Sequence, residues 1–289
     1  MKKFKKIMSA LVITTIVMGG LVGCSSSASK KTDSTKVSAG SIAEIKARGT
    51  IKIGVFSDKA PFGYLDSNGK NQGFDVFIAK RFAKDLLGDE TKVEFVLVDA
   101  ASRVAYLESK KVDIIMANFT VTEDRKQKVD FTNPYMKVSL GIVSPDSAKI
   151  TSVDQLKGKK VIVAKGTTAE TFLTKNYPDI ELVKYEQYSE IFQALKDKRG
   201  DAIVNDNTEV IAWAKENPGF SVGVPSLGAQ DTIAPAVTKG NKELLDWVNT
   251  ELVTLGKENF VHKAYESTLT PVYGADYEDK LVIEGGKIK

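Results

Sequence analysis

The chain has 289 residues, with 41 lysines and arginines against 37 aspartates and glutamates, one histidine and one cysteine. A single cysteine excludes a disulfide framework and a cysteine-based metal site. Residues 1–23 hold four of the lysines and no acid, so the rest of the chain is balanced at 37 basic and 37 acidic side chains. That balance argues against a surface for nucleic acid.

The N-terminus has the layout of a secretory signal peptide. Four lysines lie within residues 1–6, and an uncharged apolar stretch runs from Ile7 to Val22. The stretch is shorter than the about 20 apolar residues that a spanning helix needs, and it ends in small residues. We therefore predict a signal peptide at residues 1–23, which is not part of the fold.

The cysteine follows this segment directly. Leu21-Val22-Gly23-Cys24 resembles a bacterial lipobox, in which the cysteine receives lipid and becomes the new N-terminus after cleavage. The alternative is that Cys24 is an incidental small residue near an ordinary signal-peptidase site. The polar, low-complexity residues that follow cannot bury a core. We expect residues 24–40 to be a flexible tether that holds the domain at the outer side of the cell membrane through the Cys24 lipid.

The first half of the remaining sequence alternates between strand and helix patterns. Apolar strands are predicted at Ile51–Val55, Val93–Val98 and Val112–Ala117. Between the first two, apolar residues at helical spacing run from Phe74 to Leu86 and stop before Gly88. The alternation of periods 2 and 3.6 predicts a parallel α/β layer.

The second half repeats this alternation. Strands are predicted at Val161–Ala164, Glu181–Val183 and Ala202–Val204, with helices after Thr168 and from about Ser189. The whole chain is therefore predicted to be an α/β protein.

Two short motifs recur in the same order. Residues 107–115 and 195–203 share the pattern L-x-x-K-[KR]-x-D-x-I, and residues 45–53 resemble residues 156–163. Each copy ends a predicted helix and begins a strand. The repetition predicts two lobes of one design.

Two segments are predicted to cross between these lobes, Tyr135–Ile142 on the way out and Asp231–Val237 on the return. Lobe 1 would then comprise residues 41–135 plus 235–289, and lobe 2 residues 138–230. Two crossings form a hinge, and a ligand would lie in the cleft between the lobes.

Arg125 is the first candidate for ligand binding. It follows the strand at Val112–Ala117, where Thr122 can cap a short helix and Glu123 and Asp124 suit the first turn. Ligands of open α/β sheets lie beyond the carboxyl ends of the strands, and a guanidinium can grip a carboxylate with two hydrogen bonds. The alternative is a surface arginine paired with Glu123 or Asp124.

Two further candidates follow strands of the second half. Gly166-Thr167-Thr168 forms a glycine turn whose free backbone N–H groups can bind an anion, although Thr167 and Glu170 also fit a capping box. Asp206 can accept hydrogen bonds from an ammonium group or, alternatively, cap a helix that begins near Thr208. An arginine, an anion-binding helix start and a lone acid together complement a zwitterion.

Several motifs resemble the family 3 extracellular solute-binding proteins of amino-acid ABC transporters over nearly all of the mature length. They are Ile53-Gly54-Val55, Pro61-Phe62-Gly63-Tyr64, Gly73-Phe74-Asp75-Val76, Asn118-Phe119-Thr120-Val121-Thr122-Glu123-Asp124-Arg125, Asp130-Phe131-Thr132-Asn133-Pro134-Tyr135 and Lys165-Gly166-Thr167-Thr168. The resemblance implies a periplasmic-binding-protein type II fold, with two α/β lobes, a two-crossing hinge and the ligand in the cleft.

The resemblance also implies roles for individual residues. Arg125 would bind the α-carboxylate of an amino acid with Thr120 and with backbone at Asn118 and Thr168, while Asp206 would bind the α-ammonium. The candidates for the walls of the site are Phe56, Tyr64, Arg103 and Phe119, of which Tyr64 and Phe119 could equally be core residues.

The predicted ligand is L-cysteine, with cystine and acidic amino acids behind it. In aspartate- and glutamate-binding relatives an arginine near Arg103 reads the second carboxylate, but those relatives also carry a basic residue where Phe56 stands. The segments 54–64, 199–208 and 282–288 look most like the cysteine-binding members. We expect a monomer that needs no cofactor or metal and delivers its ligand to an ABC permease and its ATPase subunits.

An enzyme and an adhesin are the rival classes. Some dehydratases resemble this fold, but the one histidine, His262, is predicted in a C-terminal helix away from the cleft, and no nucleophile–base set is visible. Gly69-Lys70 lacks the spacing of a phosphate-binding loop, so ATP hydrolysis would have to come from a partner. No feature of the sequence tests the interpretation as an adhesin.

Overall fold

A computed structural model of the chain describes residues 40–288. The predicted signal peptide, Cys24 and all but the last residue of the predicted tether lie outside the described residues. Within the described range, no helix combines the length and the apolar character needed to cross a membrane.

The strands range from two to fourteen residues in length. They are β1 (Ile51–Val55), β2 (Asp58–Lys59), β3 (Gly63–Leu65), β4 (Asn71–Gln72), β5 (Val93–Leu97), β6 (Ile114–Ile115), β7 (Val129–Phe131), β8 (Met136–Pro145), β9 (Lys160–Ala164), β10 (Glu181–Tyr185), β11 (Ala202–Asp206), β12 (Phe220–Ile233) and β13 (Ala236–Thr238).

The helices pack around these strands. They are α1 (Ile42–Arg48), α2 (Phe74–Leu87), α3 (Arg103–Glu108), α4 (Glu123–Lys126), α5 (Thr168–Asn176), α6 (Tyr188–Lys196), α7 (Asn207–Glu216), α8 (Lys242–Gly256), α9 (Phe260–Thr268), α10 (Thr270–Tyr273) and α11 (Glu278–Leu281), with short 3₁₀ turns at Asp146–Ala148, Val153–Leu156, Ala275–Tyr277 and Glu284–Gly286.

Two five-stranded sheets organise the fold. The first has the order β5-β1-β6-β13-β7 and the second β10-β9-β11-β8-β12, and a small sheet β2-β3-β4 stands beside them. In each large sheet three neighbouring strands are parallel and the next strand is antiparallel. We call the part built on the first sheet lobe 1 and include in it the small sheet, which contacts α2. The part built on the second sheet is lobe 2; the residue bounds given above for the lobes stay a prediction.

The chain passes between the two sheets twice, after β7 and after β12. These connections run side by side, because Tyr135 N–H donates to the Ile233 carbonyl at 3.0 Å and Thr132 N–H donates to the Pro235 carbonyl at 2.9 Å. The predicted first crossing at Tyr135–Ile142 is largely the strand β8 instead. β8 pairs with β11 on one side and β12 on the other, so these residues belong to the second sheet.

The repeated sequence motif corresponds to a repeated structure. Asp113 accepts a hydrogen bond from Lys52 N–H at 2.7 Å, and Asp201 accepts one from Lys160 N–H at 2.8 Å, each joining the start of two parallel strands. Three residues before each aspartate the backbone is left-handed, with φ of 57° at Lys110 and 59° at Lys198. The same turn therefore begins a strand in both lobes.

Helix α2 confirms the predicted amphipathic pattern. Phe74, Ile78, Phe82 and Leu86 lie at i, i+4 spacing and are buried against the first sheet. The helix ends at Gly88, which adopts the left-handed conformation typical of a helix terminus. Other boundaries differ from the prediction: β6 has two residues where six were expected, and β11 extends to Asp206 instead of stopping at Val204.

Candidate functional site

Arg125 points away from the acids of its own helix. Thr122 caps α4 by accepting a hydrogen bond from Arg125 N–H, as predicted. The guanidinium donates to the Thr120 carbonyl at 2.7 Å and, across the cleft, to the Gly166 carbonyl at 2.9 Å. Glu123 pairs with a neighbouring lysine instead, so Arg125 is not the surface ion pair of the alternative interpretation.

Arg103 lies beside it at the start of α3 and is 2% exposed. It donates to carbonyls of its own lobe at Ala100, Ala117 and Asn118, at 3.0, 3.0 and 3.3 Å, and to Gly166 of lobe 2 at 3.2 Å. Four of the five N–H groups of Arg103 therefore have acceptors. Arg125 uses two of its five N–H groups and has three without an acceptor in the described structure.

Both guanidinium groups also lie over the ring of Phe119. Its centroid is 4.4 Å from Cζ of Arg103 and 4.6 Å from Cζ of Arg125, within the range of cation–π attraction. Phe119 is 1% exposed and packs on Phe131 as well. It therefore serves both as core and as the platform that orients the two cations.

The pair of arginines is suited to an anion. Within residues 40–288 the hydrogen-bond acceptors of both guanidinium groups are backbone carbonyls, none of which carries a charge. Burial and the charge of Arg103 lower the pKa of Arg125 to about 9, against the opposing charge of Asp206. A carboxylate beside Arg125 would compensate this partly buried positive charge.

Asn118 adds an unpartnered amide to the same place. It is 1% exposed, has a left-handed φ of 44°, and neither Oδ1 nor Nδ2 has a hydrogen-bond partner in the described structure. Its backbone N–H donates to the carboxylate of Asp75 at 2.7 Å, which also accepts from the Tyr135 hydroxyl at 2.6 Å. Asp75 thus fixes Asn118, and sequence reasoning assigned it no role because it lies 43 residues away.

Asp206 lies in the other lobe, at the end of β11. Its side chain makes no capping bond to α7, so the alternative interpretation as a helix cap does not hold. Instead Oδ2 accepts from Lys59 Nζ at 2.7 Å, and Glu209 Oε2 lies 3.4 Å from the same ammonium. Lys59 and Glu209 were not identified from the sequence.

Two aromatic rings complete the surroundings of this lysine. Nζ lies 4.5 Å from the centroid of Tyr188 and 5.5 Å from that of Phe56, and the two rings meet edge to face. We call Phe56, Tyr188, Asp206 and Glu209 the Lys59 cage. The Phe56 ring centroid also lies 5.5 Å from Cζ of Arg103, so this ring lies next to both the Lys59 ammonium and the arginine pair.

The glycine turn before α5 is used differently from the prediction. Thr167 accepts from Glu170 N–H at 3.3 Å and thus caps the helix, as its alternative interpretation proposed. The Gly166 N–H is taken by the Glu170 carboxylate at 2.7 Å. Gly166 therefore offers its carbonyl to the arginines, while its N–H is not free for an anion. The predicted role of free N–H groups stays a prediction for Thr167 and Thr168, at the start of α5.

Gly166 also allows the lobes to approach closely. Its φ is 72°, and a Cβ there would lie 2.5 Å from Cα of Ala101 in lobe 1. No side chain fits at that distance without moving the backbone.

A cavity of about 350 Å³ opens beside Arg125, between the two lobes. Its lining includes Arg125, Gly166, Thr168, Phe172, Lys175 and Asp231. Burial and the nearby charge of Asp206 raise the pKa of Asp231, while Arg125 lowers it. Asp231, which was predicted only as part of the return crossing, is therefore a second acid near the arginine.

The structure brings most of the predicted site residues together. Direct contacts link Arg125, Arg103, Phe119, Thr120, Asn118 and Gly166. Phe56 contacts Arg103 and Lys59, and Lys59 in turn pairs with Asp206. Tyr64 is half-buried in β3, where its backbone pairs with Asp58 and Gln72. Its role as a wall of the site stays a prediction.

Residues 51–270 match the model of the bacterial extracellular solute-binding proteins, family 3, so the chain belongs to this family. Its fold is of the periplasmic-binding-protein type II. Proteins of this family are receptors of ABC importers, so the chain is an extracytoplasmic amino-acid-binding receptor for transport and not an enzyme.

Individual relatives bind different amino acids. The solute receptor for L-cysteine of Neisseria gonorrhoeae is 55% identical with a TM-score of 0.83, covering 84% of this chain and 100% of that chain. The cysteine-binding protein of Campylobacter jejuni is 53% identical with a TM-score of 0.83, covering 84% and 98%. The ABC transporter glutamine-binding protein GlnH of Bacillus subtilis is 34% identical over 265 residues, 91% of this chain and 96% of that protein.

The buried Asp75 gives the fold a specific pH dependence. Burial raises its pKa to about 7 from an ordinary value of 3.8, although the Tyr135 and Asn118 hydrogen bonds lower it. As the pH rises from about 4 to about 7, the unfolded chain releases a proton that the folded chain keeps, so this carboxyl's contribution to stability is lost. The loss is at most about 1.4 kcal/mol per pH unit.

We expect Asp75→Asn to remove this slope. The free energy of unfolding of the wild type minus that of the variant should fall between pH 4.5 and pH 7.5 in urea titrations. Asp89→Asn, at an exposed turn, is the control and should show no such fall. A difference that stays constant or grows over this range would contradict the assignment.

Proposed function

We propose that the protein captures L-cysteine outside the cell and delivers it to an ABC permease. The observation that carries the proposal is the guanidinium of Arg125, which borders the interlobe cavity with three N–H groups left and no charged acceptor. A guanidinium held in this way suits the α-carboxylate that all free amino acids share. Asp206, in the opposite lobe, suits the α-ammonium.

The shortage of free cations supports a ligand with one carboxylate. A second carboxylate would need a second donor pair, yet Arg103 has one N–H group left and Lys59 is engaged by Asp206 and Glu209. Phe56 stands buried where acidic-ligand relatives are expected to carry a basic residue. An acidic amino acid is therefore disfavoured.

The comparisons favour cysteine over glutamine. The two cysteine-binding proteins share more than half of their residues with this chain over their nearly complete length, whereas the glutamine-binding relative shares about a third. Cystine is the second candidate, because the cavity beside Arg125 carries both Lys175 and Asp231 and could accept a second amino-acid half.

Titration calorimetry on a form that starts at Ser25 tests the proposal. L-cysteine under reducing conditions should bind with a Kd around micromolar, roughly −8 kcal/mol, and more tightly than cystine, glutamine, aspartate or glutamate. Arg125→Gln should weaken cysteine binding by at least about 30-fold, as expected for loss of a charged hydrogen-bonded pair. The control is Arg199→Gln, at an exposed pair with Asp197.

The outcomes separate the parts of the proposal. Tighter binding of glutamine or of an acidic amino acid would overturn the choice of ligand and leave the transport role in place. No binding of any amino acid would overturn the function, and full binding by Arg125→Gln would overturn the assigned contact.

We further propose that the mature protein is anchored by lipid on Cys24, which is supported by the motif Leu21-Val22-Gly23-Cys24 and the polar segment after it. In a bacterial host fed an alkyne fatty acid, the full-length chain should become labelled and stay in the membrane fraction. Cys24→Ser should lose the label. An unlabelled wild-type chain, released to the medium, would contradict the anchor.

A further inference from the structure

Lys59 is a fully buried lysine, with a side-chain exposure of 0%. Its ammonium contacts both carboxylates of the Lys59 cage, lies 3.3 Å from the Tyr188 hydroxyl and stands over both aromatic rings. Two acids and two rings around one ammonium form a complete cation site. The chain fills that site with its own side chain.

The site exists only where the lobes meet. Lys59 and Phe56 belong to lobe 1, whereas Tyr188, Asp206 and Glu209 belong to lobe 2. Beside it, Ser189 N–H of lobe 2 donates to the Asp58 carboxylate of lobe 1 at 3.0 Å. The Lys59 ammonium of lobe 1 thus lies between two acids of lobe 2.

Lys59 limits the negative charge that the cage can offer to a ligand. Asp206, the proposed acceptor of the ligand's ammonium, already pairs with Lys59, so the two cancel. Glu209 is the second acid, and burial raises its pKa to about 8 although Lys59 lowers it. One ammonium lies between two carboxyl groups, so the cage can offer one carboxylate to a further cation.

A bound ammonium changes this balance. A second cation beside Asp206 favours the ionised form of Glu209, whose proton passes to solvent. Two cations, Lys59 and the ligand's ammonium, then face the two carboxylates of the cage, and these four charges sum to zero. A ligand with another cationic group would leave a buried positive charge without a partner.

We propose that Lys59 determines the charge specificity of the site: its ammonium takes the place of a second ligand cation, so that the closed cleft accepts one ammonium group and rejects cationic amino acids. This inference rests on the proposed binding of an amino acid at Asp206. Lys59 is a positioning residue in this account, because it acts through Asp206 and Glu209.

The charge count predicts the behaviour of four variants. Lys59→Met keeps most of the side-chain volume and leaves two acids for two ligand cations. Glu209→Gln leaves Lys59 and Asp206, which have no charge to spare for a ligand. The double variant Lys59→Met/Glu209→Gln leaves Asp206 alone, which again matches one ammonium, and Lys59→Arg keeps the cation.

The test is calorimetry at pH 7.5 with L-cysteine and with L-2,4-diaminobutyrate, a short amino acid whose side chain ends in an ammonium. The readout is the ratio of the two Kd values on one preparation, because a general loss of lobe closure affects both ligands. Lys239→Met, at an exposed pair with Asp130, is the matched control.

The wild type, Lys59→Arg and Lys239→Met should strongly prefer cysteine. Lys59→Met should shift the ratio towards diaminobutyrate by at least about tenfold, and the double variant should return it to within about threefold of the wild type. Glu209→Gln should weaken cysteine binding by at least about tenfold with an unchanged melting temperature.

An unchanged ratio in Lys59→Met would overturn the inference, and so would wild-type cysteine affinity in Glu209→Gln. A thermal melting curve shows whether Lys59→Met folds. If it does not, the double variant and Glu209→Gln still test the inference. Failure of the wild type to bind any amino acid would instead overturn the proposed function, so the two failures are distinguishable.

Discussion

Two neighbouring guanidinium groups with only neutral acceptors, Arg103 fully buried and Arg125 partly buried, are the feature on which the rest of the site depends. Arg103 and Arg125 share the ring of Phe119 and the carbonyl of Gly166. Charges of the same sign repel strongly in a medium of low dielectric constant, so the arrangement favours an anion between the lobes. The cavity beside Arg125 and the idle amide of Asn118 are consistent with a ligand that brings this anion.

The fold explains why these groups meet. Each lobe places the ends of its parallel strands towards the cleft. Short segments after β6 and β9 supply Asn118 and Gly166, and the last residue of β11 is Asp206. The paired connections next to Tyr135 and Ile233 hold the lobes together, and Asp75 links Tyr135 to Asn118. One buried carboxylate thus joins the connection between the lobes to the ligand site.

The sequence revealed the parts of the site that follow local rules. The cap at Thr122 is read from neighbouring residues and is present in the structure, and the strand predicted just before Asp206 is present too, although it extends to Asp206 itself. The role of Lys59 could not be predicted in this way, because its partner Asp206 is 147 residues distant and lies in the other lobe. A lysine in a short loop strand has the local appearance of a surface residue.

Two predicted boundaries, that of β6 and that of the first crossing between the lobes, were wrong for a related reason. The apolar run around Ile114 predicted a six-residue strand, but only two residues pair, since the backbone turns to the left-handed conformation at Asn118 and its carbonyls bind Arg103. The segment predicted as a crossing became β8 because it has a partner on each side. Hydrogen bonds to distant residues decided both cases.

The central claim is that the site recognises both charges of one amino acid at once, with the arginines on one side and the Lys59 cage on the other. Comparing L-cysteine with cysteamine, which lacks the carboxylate, and with 3-mercaptopropionate, which lacks the ammonium, tests it most directly. By calorimetry on the wild-type protein, each analogue should bind at least about 30-fold more weakly than cysteine. Binding of either analogue within about threefold of cysteine would contradict the account.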